Sequence, residues 1–434
     1  MPHVQDNHPP FIIEPVKSLR GELRFMGDKS ISHRALIFSS LAEGVSHIFN
    51  LSHGGDVTST MEILSRTGCR IIDAGDHIEV HGCGTGGMQK PDKELFCGNS
   101  GTTARLLSGV LANQKFESVV TGDESLSRRP MLRVIEPLRL MGAEIDSDNG
   151  LMPLRFKPSA GMKGITYEMP TPSAQVKGAI ILSALHLKEE TVIIEKSLTR
   201  DHTERMLGLP VKFEEGKKII SVSHRFAPFR KDYEIPGDIS SAAFFVVAGL
   251  IFPDSEIVIR DVMLNEGRTA YLNILARMGG NIRIEKTRMM GREPVGDVIV
   301  KSSRLRNVPI DKEIIPMIID EIPALTVAGV FASGVFEIRG AHELRVKESD
   351  RISSLIYNLL KAGVNPAEFE DGFRFEAEKL NQSPSFMSFG DHRVAMAFTV
   401  LSALIPSGGT MDDTDCISVS NPDFFRQLKS ISQF

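Results

Sequence analysis

Tryptophan is absent from this 434-residue chain, and tyrosine and cysteine occur only four times each. Cys69, Cys83, Cys97 and Cys416 lack the close spacing of a zinc knuckle or a redox dithiol. Four cysteines are also too few to cross-link a chain of this length. We therefore interpret them as buried free thiols, and the sequence predicts neither a disulfide-stapled fold nor a cysteine-ligated metal site.

Long hydrophobic runs are missing as well. The longest, residues 242–252, is about half of the roughly 20 residues that a membrane-spanning helix needs. Residues 1–10 contain neither the basic segment nor the apolar segment of a signal or transit peptide. We therefore predict a cytoplasmic protein without a membrane partner.

An excess of positive charge is the third feature that the chain lacks. Its 50 Lys and Arg and 55 Asp and Glu residues leave a formal net charge of −5, whereas nucleic-acid-binding proteins usually carry a clear basic excess. We expect no nucleic-acid partner, and any anion site must be a local cluster of cations. The length of 434 residues exceeds what one hydrophobic core usually supports, so two or more domains are expected.

A sixfold recurrence is the main internal feature of the chain. Each time, a short cluster of Gly, Ser, Thr, Asn or Asp leads into an apolar run that contains alanine. Because small polar side chains satisfy the first free backbone N–H groups of a helix, each cluster predicts a helix N-terminus. Their spacing of about 70 residues exceeds the usual solenoid periods and predicts six domain-scale repeats. The clusters occupy residues 27–35, 98–105, 172–179, 237–243, 320–324 and 390–396.

A second helix is predicted inside most repeats. Gly68, Gly142, Gly279 and Gly363 follow apolar periodic stretches and fit helix C-caps, after which the chain returns as a strand. The corresponding stretch of the third repeat, residues 198–208, is shorter. Strands combined with helices in this order predict βαβαββ units and an α/β or α+β fold class.

The six predicted helix N-termini favour an anionic ligand where they converge, since free N–H groups and helix dipoles both attract negative charge. Four of the clusters carry basic residues within about one turn, namely Lys29 with Arg34, Arg105, Lys177 and Arg393. For any single cluster, a solvated basic residue beside an ordinary N-cap is an equally good interpretation. The recurrence favours a shared anion site.

Two further motifs do not support a cofactor or a metal. Residues 82–87 match G-x-G-x-x-G, but Pro91 and no apolar periodicity follow, whereas the dinucleotide motif needs a helix there. The acidic run at residues 412–415 lacks the spacing of a calcium loop. The highly charged segment 342–351 is more informative. If it is helical, Lys347 and Arg351 share one face, although a solvated face with ion pairs is an equally good interpretation of the segment alone.

Four motifs taken together resemble the enolpyruvyl transferases: GDKSISHRA from Gly27, GNSGTTAR from Gly98, RVKESDR from Arg345 and GDHRVAM from Gly390. The resemblance runs in order from about residue 16 to residue 425. It implies a two-domain inside-out α/β barrel with three repeats in each domain and an active site in the cleft between them. Residues 27–237 would form one domain, and residues 1–26 with 238–434 would form the other.

The resemblance also implies an activity. It is strongest to members that transfer the carboxyvinyl group of phosphoenolpyruvate to the 5-hydroxyl of shikimate 3-phosphate, releasing phosphate on the route to chorismate and aromatic amino acids. It implies two small polyanionic substrates, no metal, no organic cofactor and a monomeric protein. Both substrates would explain clustered cations in an acidic chain.

A set of site residues follows from the resemblance. Asp320 would take the proton of the 5-hydroxyl, Glu348 would protonate the methylene carbon, and Lys29 would stabilise charge on the phosphate-bearing intermediate. Planar guanidinium groups suit carboxylate and phosphate because they bind two oxygens at once. Phosphoenolpyruvate would be bound by Lys29, Gly101, Arg129, Lys347, Arg351 and Arg393. Shikimate 3-phosphate would be bound by Lys29, Ser30, Arg34, Ser173, Ala174, Gln175, Arg200, Asp320 and Lys347.

Three departures resemble the second subgroup of the family. Ala174 stands where many members carry a second serine, Arg200 stands where others have a tyrosine, and residues 417–422 lack a lysine found in many members. Members with alanine in place of Gly101 tolerate glyphosate. The glycine here leads us to expect that glyphosate competes with phosphoenolpyruvate.

Other functions remain open. Enolpyruvyl transferases that act on UDP-N-acetylglucosamine typically carry a cysteine in the loop that residues 121–130 form here, and this loop contains none. A non-catalytic anion-binding protein of the same fold is a second alternative, against which the presence of Lys29, Asp320 and Glu348 argues. A terminal-phosphate cyclase of RNA is a third, which the acidic net charge disfavours.

Overall fold

A computed structural model describes residues 9–376 and 379–434 of the chain. Residues 1–8 of the second predicted domain therefore lie outside the described residues. In the described ranges there are fourteen α-helices, and no helix there is long and apolar enough to cross a membrane. The helices are α1 (Lys29–Leu41), α2 (Gly55–Arg66), α3 (Gly101–Leu111), α4 (Glu124–Ser127), α5 (Leu132–Leu140), α6 (Ala174–Ala184), α7 (His202–Leu207), α8 (Ile239–Ile251), α9 (Glu266–Arg277), α10 (Ile315–Ile318), α11 (Ile322–Val330), α12 (Arg351–Lys361), α13 (His392–Leu404) and α14 (Phe424–Ile431).

The strands of the described ranges form six separate sheets. Numbered in chain order, the strands are β1 (Phe11–Ile13), β2 (Ser18–Arg24), β3 (Glu43–Phe49), β4 (Arg70–Asp73), β5 (His77–Cys83), β6 (Leu95–Phe96), β7 (Ser118–Thr121), β8 (Glu144–Asp148), β9 (Leu151–Lys157), β10 (Thr166–Glu168), β11 (Thr191–Glu195), β12 (Val211–Glu214), β13 (Lys217–Val222), β14 (Tyr233–Glu234), β15 (Glu256–Met263), β16 (Asn281–Met290), β17 (Glu293–Lys301), β18 (Phe336–Ile338), β19 (Ala367–Phe369), β20 (Gly372–Phe375), β21 (Ser385–Phe386), β22 (Gly409–Met411) and β23 (Ser432–Gln433).

The same sheet topology recurs along the chain. Three sheets have the orders β14-β3-β5-β4, β6-β7-β9-β8 and β10-β11-β13-β12. In each, a parallel edge pair is followed by two antiparallel pairs. The remaining sheets have the orders β16-β17-β15-β2-β23, β18-β20-β19 and β1-β22-β21. The mixed α/β fold class and the repeated units predicted from the sequence are confirmed.

One helix begins at each of the six polar clusters. These helices are α1, α3, α6, α8, α11 and α13. Five have a side-chain cap that accepts a hydrogen bond from a backbone N–H, as the clusters predict. The caps are Asp28, Ser100, Ser173, Asp238 and Asp391.

The six helices form the buried interior. Nearly every residue of α8 and α13 is inaccessible to solvent, as expected for helices that are apolar on all sides. The helix α3 packs against α1 and α6, while α8, α11 and α13 pack against one another. The sheets lie outside these helices, so the polar N-terminal clusters are the parts of the interior helices that face a shared space.

The glycine C-caps are also confirmed. Gly68, Gly142, Gly279 and Gly363 follow α2, α5, α9 and α12 with φ between +88° and +101°, a conformation that favours glycine. In the third repeat α7 is shorter, as predicted, and Gly208 follows it. All four cysteines are free, although Cys83 and Cys416 are only partly buried.

The helical interpretation of residues 342–351 is wrong. A 3₁₀ turn covers His342–Val346, Lys347 is extended, and α12 begins only at Arg351 because the Asp350 side chain caps it. Lys347 and Glu348 therefore lie in the turn before a helix and do not share a helical face with Arg351.

Close packing of α3 on α6 depends on a glycine. A Cβ built on Gly109 would overlap the carbonyl oxygen of Ala179 and lie 2.8 Å from its carbonyl carbon. Alanine favours a helix over glycine by about 1 kcal/mol, but the opposing backbone cannot move aside. We predict that Gly109→Ala lowers the free energy of unfolding by about 1–3 kcal/mol in urea denaturation, because the helices are overpacked.

Gly161→Ala is the matched control, since a Cβ at Gly161 meets nothing within 4 Å. We expect this variant to change the free energy of unfolding by less than about 0.5 kcal/mol. A Gly109→Ala protein as stable as the control would contradict the close approach of α3 and α6.

Candidate active site

A cavity of about 300 Å³ lies where the helix N-termini meet. The starts of α1, α3 and α6 contribute one wall, and the turns before α11 and α12 together with the start of α13 contribute the other. Nine cations and five carboxylates line this space, so it carries an excess of positive charge. The cations are Lys29, Arg105, Arg129, Arg133, Arg200, Arg268, Lys312, Lys347 and Arg393, and the carboxylates are Asp56, Asp238, Asp320, Glu343 and Glu348.

A second cavity, of about 500 Å³, lies beside α7 and α9. Its lining contains three cations and three carboxylates, so the charges balance. The cations are Arg205, Lys218 and Arg292, and the carboxylates are Asp201, Glu204 and Glu266. The smaller cavity is therefore the better site for polyanions.

Twelve of the fourteen site residues predicted from the sequence line the smaller cavity. They are Lys29, Ser30, Gly101, Arg129, Ser173, Ala174, Gln175, Arg200, Asp320, Lys347, Glu348 and Arg393. The other two, Arg34 and Arg351, lie behind its wall. Residues that are up to 364 positions apart in the chain, Lys29 and Arg393, are thus brought to one space.

Arg34 supports the wall from behind. Its Nε donates a hydrogen bond to Thr203 Oγ1 at 2.7 Å, and its Nη1 donates to the Ser30 carbonyl oxygen at 2.8 Å. Both contacts use the guanidinium inside the protein. In this structure Arg34 therefore positions the first turn of α1 and does not face the cavity.

Arg351 joins the two carboxylates that were predicted to move protons. Its Nη2 donates to Glu348 Oε2 at 2.5 Å, and its Nη1 donates to Asp320 Oδ1 at 3.3 Å. Its Nε donates to Asp391 Oδ2 at 2.7 Å, and Arg351 is fully buried. The guanidinium is thus held from behind by Asp391 and fixes Asp320 and Glu348 relative to each other.

Asp320 is ionised by its surroundings. Burial opposes its negative charge, but Arg200, Lys347 and Arg393 attract it more strongly and hold the pKa of Asp320 well below its usual range. Arg200 forms an ion pair with Asp320 Oδ2, and Lys347 Nζ lies 3.7 Å from Oδ1. At neutral pH Asp320 is therefore a carboxylate that can accept a proton.

Glu348 is ionised in the same way. Burial again opposes the charge, while Arg351 and Arg129 attract it and hold the pKa of Glu348 well below its usual range. Arg129 Nη1 lies 3.9 Å from Glu348 Oε1. In the ligand-free protein Glu348 thus carries no proton to donate at neutral pH. The cations around both carboxylates would compete with any metal ion for the same oxygens.

The two lysines of the site differ in their surroundings. Lys29 Nζ forms an ion pair with Asp56 Oδ2 at 2.8 Å, at the first residue of α1. Burial lowers the pKa of Lys347, although Asp320 acts in the opposite direction. Both ammonium groups line the cavity.

Contacts across the cavity join its two walls. Arg133 Nη1 lies 2.8 Å from Glu343 Oε2, and Ser125 Oγ donates to the Glu348 carbonyl oxygen at 3.0 Å. These pairs, like that of Arg200 and Asp320, connect the 27–237 region to the 238–434 region. The site is assembled from both regions.

Several lining residues were missed by the sequence analysis as site residues. Arg105 Nη1 donates to Gln175 Oε1 at 2.8 Å, and Gln175 Nε2 donates to Thr102 Oγ1 at 2.9 Å. Arg105 therefore orients Gln175, a residue predicted to bind shikimate 3-phosphate. Arg105 lies in the polar cluster at residues 98–105, and this position could have indicated it as a site residue. Glu343 lies in the charged segment 342–351, but its partner Arg133 is 210 residues away and stands in no polar cluster, so no local pattern indicates the pair.

Gly101 leaves room for two guanidinium groups. A Cβ at this position would lie 2.6 Å from Arg105 Nη1 and 3.4 Å from Arg129 Nη1. A side chain here would therefore displace the Arg105 guanidinium and come into van der Waals contact with that of Arg129. The glycine leaves room for Arg105 and allows a close approach to the backbone.

Comparisons with known proteins agree with this geometry. The family model described as EPSP synthase (3-phosphoshikimate 1-carboxyvinyltransferase) matches residues 13–428. A 3-phosphoshikimate 1-carboxyvinyltransferase of Salinibacter ruber is 44% identical over 427 residues, covering 97% of this chain and 99% of that protein. One of Pelobacter propionicus is 43% identical over 420 residues, covering 96% and 97%.

Solved structures give the same result. The EPSP synthase of Acinetobacter baumannii superposes with a TM-score of 0.84 at 37% identity, covering 97% of this chain and 98% of that one. The enolpyruvyl transferase NikO of Streptomyces tendae has a TM-score of 0.73 at 16% identity over 98% of both chains, a likeness of fold alone. The two-domain α/β fold expected from the resemblance is thereby confirmed. The chain belongs to the EPSP synthase (3-phosphoshikimate 1-carboxyvinyltransferase) family.

Proposed function

We propose that the 300 Å³ cavity is the place where this enzyme performs its reaction. The reaction transfers the carboxyvinyl group of phosphoenolpyruvate to the 5-hydroxyl of shikimate 3-phosphate and releases phosphate. The observation that carries the proposal is that Arg351 joins two ionised carboxylates, Asp320 and Glu348, at a cavity whose lining has an excess of cations. The cations can bind the two polyanionic substrates, and the two carboxylates can carry out the two proton transfers.

Phosphoenolpyruvate is bound, in this proposal, by Lys29, Arg129, Lys347 and Arg393. Their charged groups line one space and are partly desolvated, which strengthens charge-assisted hydrogen bonds to phosphate and carboxylate. Arg351 acts on this subsite through Asp320 and Glu348. A bound anion also relieves the repulsion among these cations.

Shikimate 3-phosphate is bound by Ser30, Arg200 and the start of α6. Ser173, Ala174 and Gln175 lie at the N-terminus of α6, where free N–H groups and the helix dipole favour a phosphate. Arg200, which replaces the tyrosine of other members, pairs with Asp320 in the absence of ligand. We propose that its guanidinium shares its donors between this carboxylate and the substrate.

The proton movements follow from the charge states. Asp320 takes the proton of the 5-hydroxyl while the oxygen bonds to C2 of phosphoenolpyruvate and the methylene carbon takes a proton. Bound substrate anions offset the cations near Glu348, which raises its pKa from the low value of the free protein. Glu348 then gains a proton from solvent and delivers it to the methylene carbon.

Collapse of the tetrahedral intermediate completes the reaction. The bond from carbon to the phosphate oxygen breaks, Glu348 removes a proton from the methyl group, and the double bond forms again. The departing phosphate takes up the proton that Asp320 received from the 5-hydroxyl, and Glu348 returns its proton to solvent. Lys29, at the start of α1, stabilises the negative charge on the departing phosphate. Each step uses a group that lines the cavity.

We also propose residues 27–237 as one domain and residues 9–26 with 238–434 as the other. Each described sheet takes its strands from one of these regions, which supports this division. The chain passes from one proposed domain to the other at Gly27 and again at Gly237, and these two residues form a β-bridge with each other. A monomeric state, the absence of other partners and a cytoplasmic location stay predictions.

Replacing Asp320 tests the proposed base. We predict that Asp320→Asn lowers kcat for phosphate release by roughly 10²- to 10⁴-fold, because the proton acceptor is lost. Calorimetric affinity for shikimate 3-phosphate falls much less, since the variant keeps the surrounding cations. Asp254→Asn, at an exposed turn, is the matched control and keeps full activity. A kcat within tenfold of the wild type, or an equal loss of binding, would contradict the assignment of Asp320 as the base.

Replacing Gly101 tests the space beside Arg105 and Arg129. We predict that Gly101→Ala raises the KM for phosphoenolpyruvate roughly tenfold or more, because the methyl group displaces Arg105 and fills the space beside Arg129 in which the substrate forms a charge-assisted hydrogen bond. The inhibition constant of glyphosate rises with it, and the KM for shikimate 3-phosphate changes less. Steady-state kinetics with both substrates provide the measurement.

Gly86→Ala is the control for this experiment, since a Cβ at Gly86 meets nothing within 4 Å. We expect wild-type constants for this variant. An unchanged KM for phosphoenolpyruvate in Gly101→Ala would show that Arg129 does not bind this substrate from its present position.

A further inference from the structure

Three potential metal ligands lie together on one face of the first sheet, outside the active site. His47 on β3 is paired with Glu79 on β5, and the neighbouring pair places His77 opposite Phe49. One ligand atom from each of His47, His77 and Glu79 lies within 4.8 Å of the other two. In the described part of the chain, none of these three residues lines either cavity.

Each histidine has a carboxylate partner. His47 Nδ1 lies 2.8 Å from Asp232 Oδ1, and His77 Nδ1 lies 2.7 Å from Asp76 Oδ1. A histidine that donates its Nδ1–H to a carboxylate presents an unprotonated Nε2, which is the form that binds a metal. The two carboxylates thus stand where the outer partners of metal-ligating histidines usually stand.

The rings are also held by neighbouring side chains. The His47 and His77 rings meet edge to face with centroids 5.1 Å apart, and Phe49 packs at 5.3 Å from His77. The side chains of His77 and Glu79 are 22% and 29% exposed, so an ion from solvent reaches them while part of their surface is already desolvated. Glu79 also pairs with His81 Nε2, so its carboxylate must be shared between this histidine and the ion.

We propose that His47, His77 and Glu79 form a binding site for a divalent transition-metal ion, and that the site binds Zn²⁺ in preference to Mg²⁺ and Ca²⁺. Two imidazoles and one carboxylate form a ligand set that zinc accepts, with water in the fourth position. Mg²⁺ and Ca²⁺ prefer sets made of oxygen ligands alone. The ion links β3 to β5. Through the contact of His47 with Asp232 it is also connected to the segment that leads into β14 and to Gly237, where the chain enters the second proposed domain.

Calorimetric titration of the EDTA-stripped full chain with zinc chloride tests the proposal. We expect one saturable zinc ion per chain, and none in His47→Ala or His77→Ala. Asp76→Asn and Asp232→Asn bind zinc roughly tenfold or more weakly, because they lose the outer partner of a ligand. Magnesium chloride produces no saturable binding. His224→Ala, an exposed histidine of the third repeat, is the matched control and binds zinc as the wild type does.

Two further measurements separate this site from other zinc ligands. Cys69 and Cys83, whose sulfur atoms lie 3.4 Å apart, also offer thiols, so the Cys69→Ser, Cys83→Ser double variant must keep its zinc affinity. Zinc must also raise the melting temperature of the wild type and not that of His47→Ala. Phosphate release stays at the wild-type rate in His47→Ala. The proposal is overturned by the absence of saturable zinc binding, by binding that survives both histidine variants, or by binding that disappears with the cysteines.

Discussion

Mutual compensation of buried charge is the constraint on which the rest of this structure depends. Cations brought together at helix N-termini repel one another, and burial removes the water that would screen them. Asp391, fully buried, holds Arg351, and Arg351 in turn holds Asp320 and Glu348. These carboxylates offset part of the positive charge and keep the cations in place. The lining of the cavity still has an excess of positive charge.

The repeated architecture supplies the geometry for this compensation. Six buried helices start at polar clusters and direct their N-termini to one space, and the two regions of the chain each contribute three of them. Asp391 has two functions, because it caps α13 through the Arg393 N–H and also binds Arg351. A local capping rule and a long-range ion pair thus use the same side chain. Asp391 thus contributes both to the start of α13 and to the position of Arg351.

Local patterns predicted the helices well, because an N-cap such as Asp28 or a glycine such as Gly68 acts on its own neighbours. They failed at residues 342–351, where the Asp350 cap delays the start of α12 to Arg351 and leaves Lys347 extended. The sequence also shows which side chains are charged but not which way each of them points. Arg34 lies in α1, as predicted, but its guanidinium lies behind the cavity wall. Arg133 and Glu343 are brought into contact only by the tertiary fold. The resemblance to a family supplied what spacing alone could not.

Selection of the acceptor is the most direct test of a site built for two polyanions. The measurement is phosphate release by the purified protein from phosphoenolpyruvate, with shikimate 3-phosphate in one reaction and UDP-N-acetylglucosamine in a parallel one. Release that requires shikimate 3-phosphate and is absent with the nucleotide sugar is the predicted result. Release with UDP-N-acetylglucosamine, or none with either acceptor while shikimate 3-phosphate still binds, would contradict the roles given to Asp320 and Glu348.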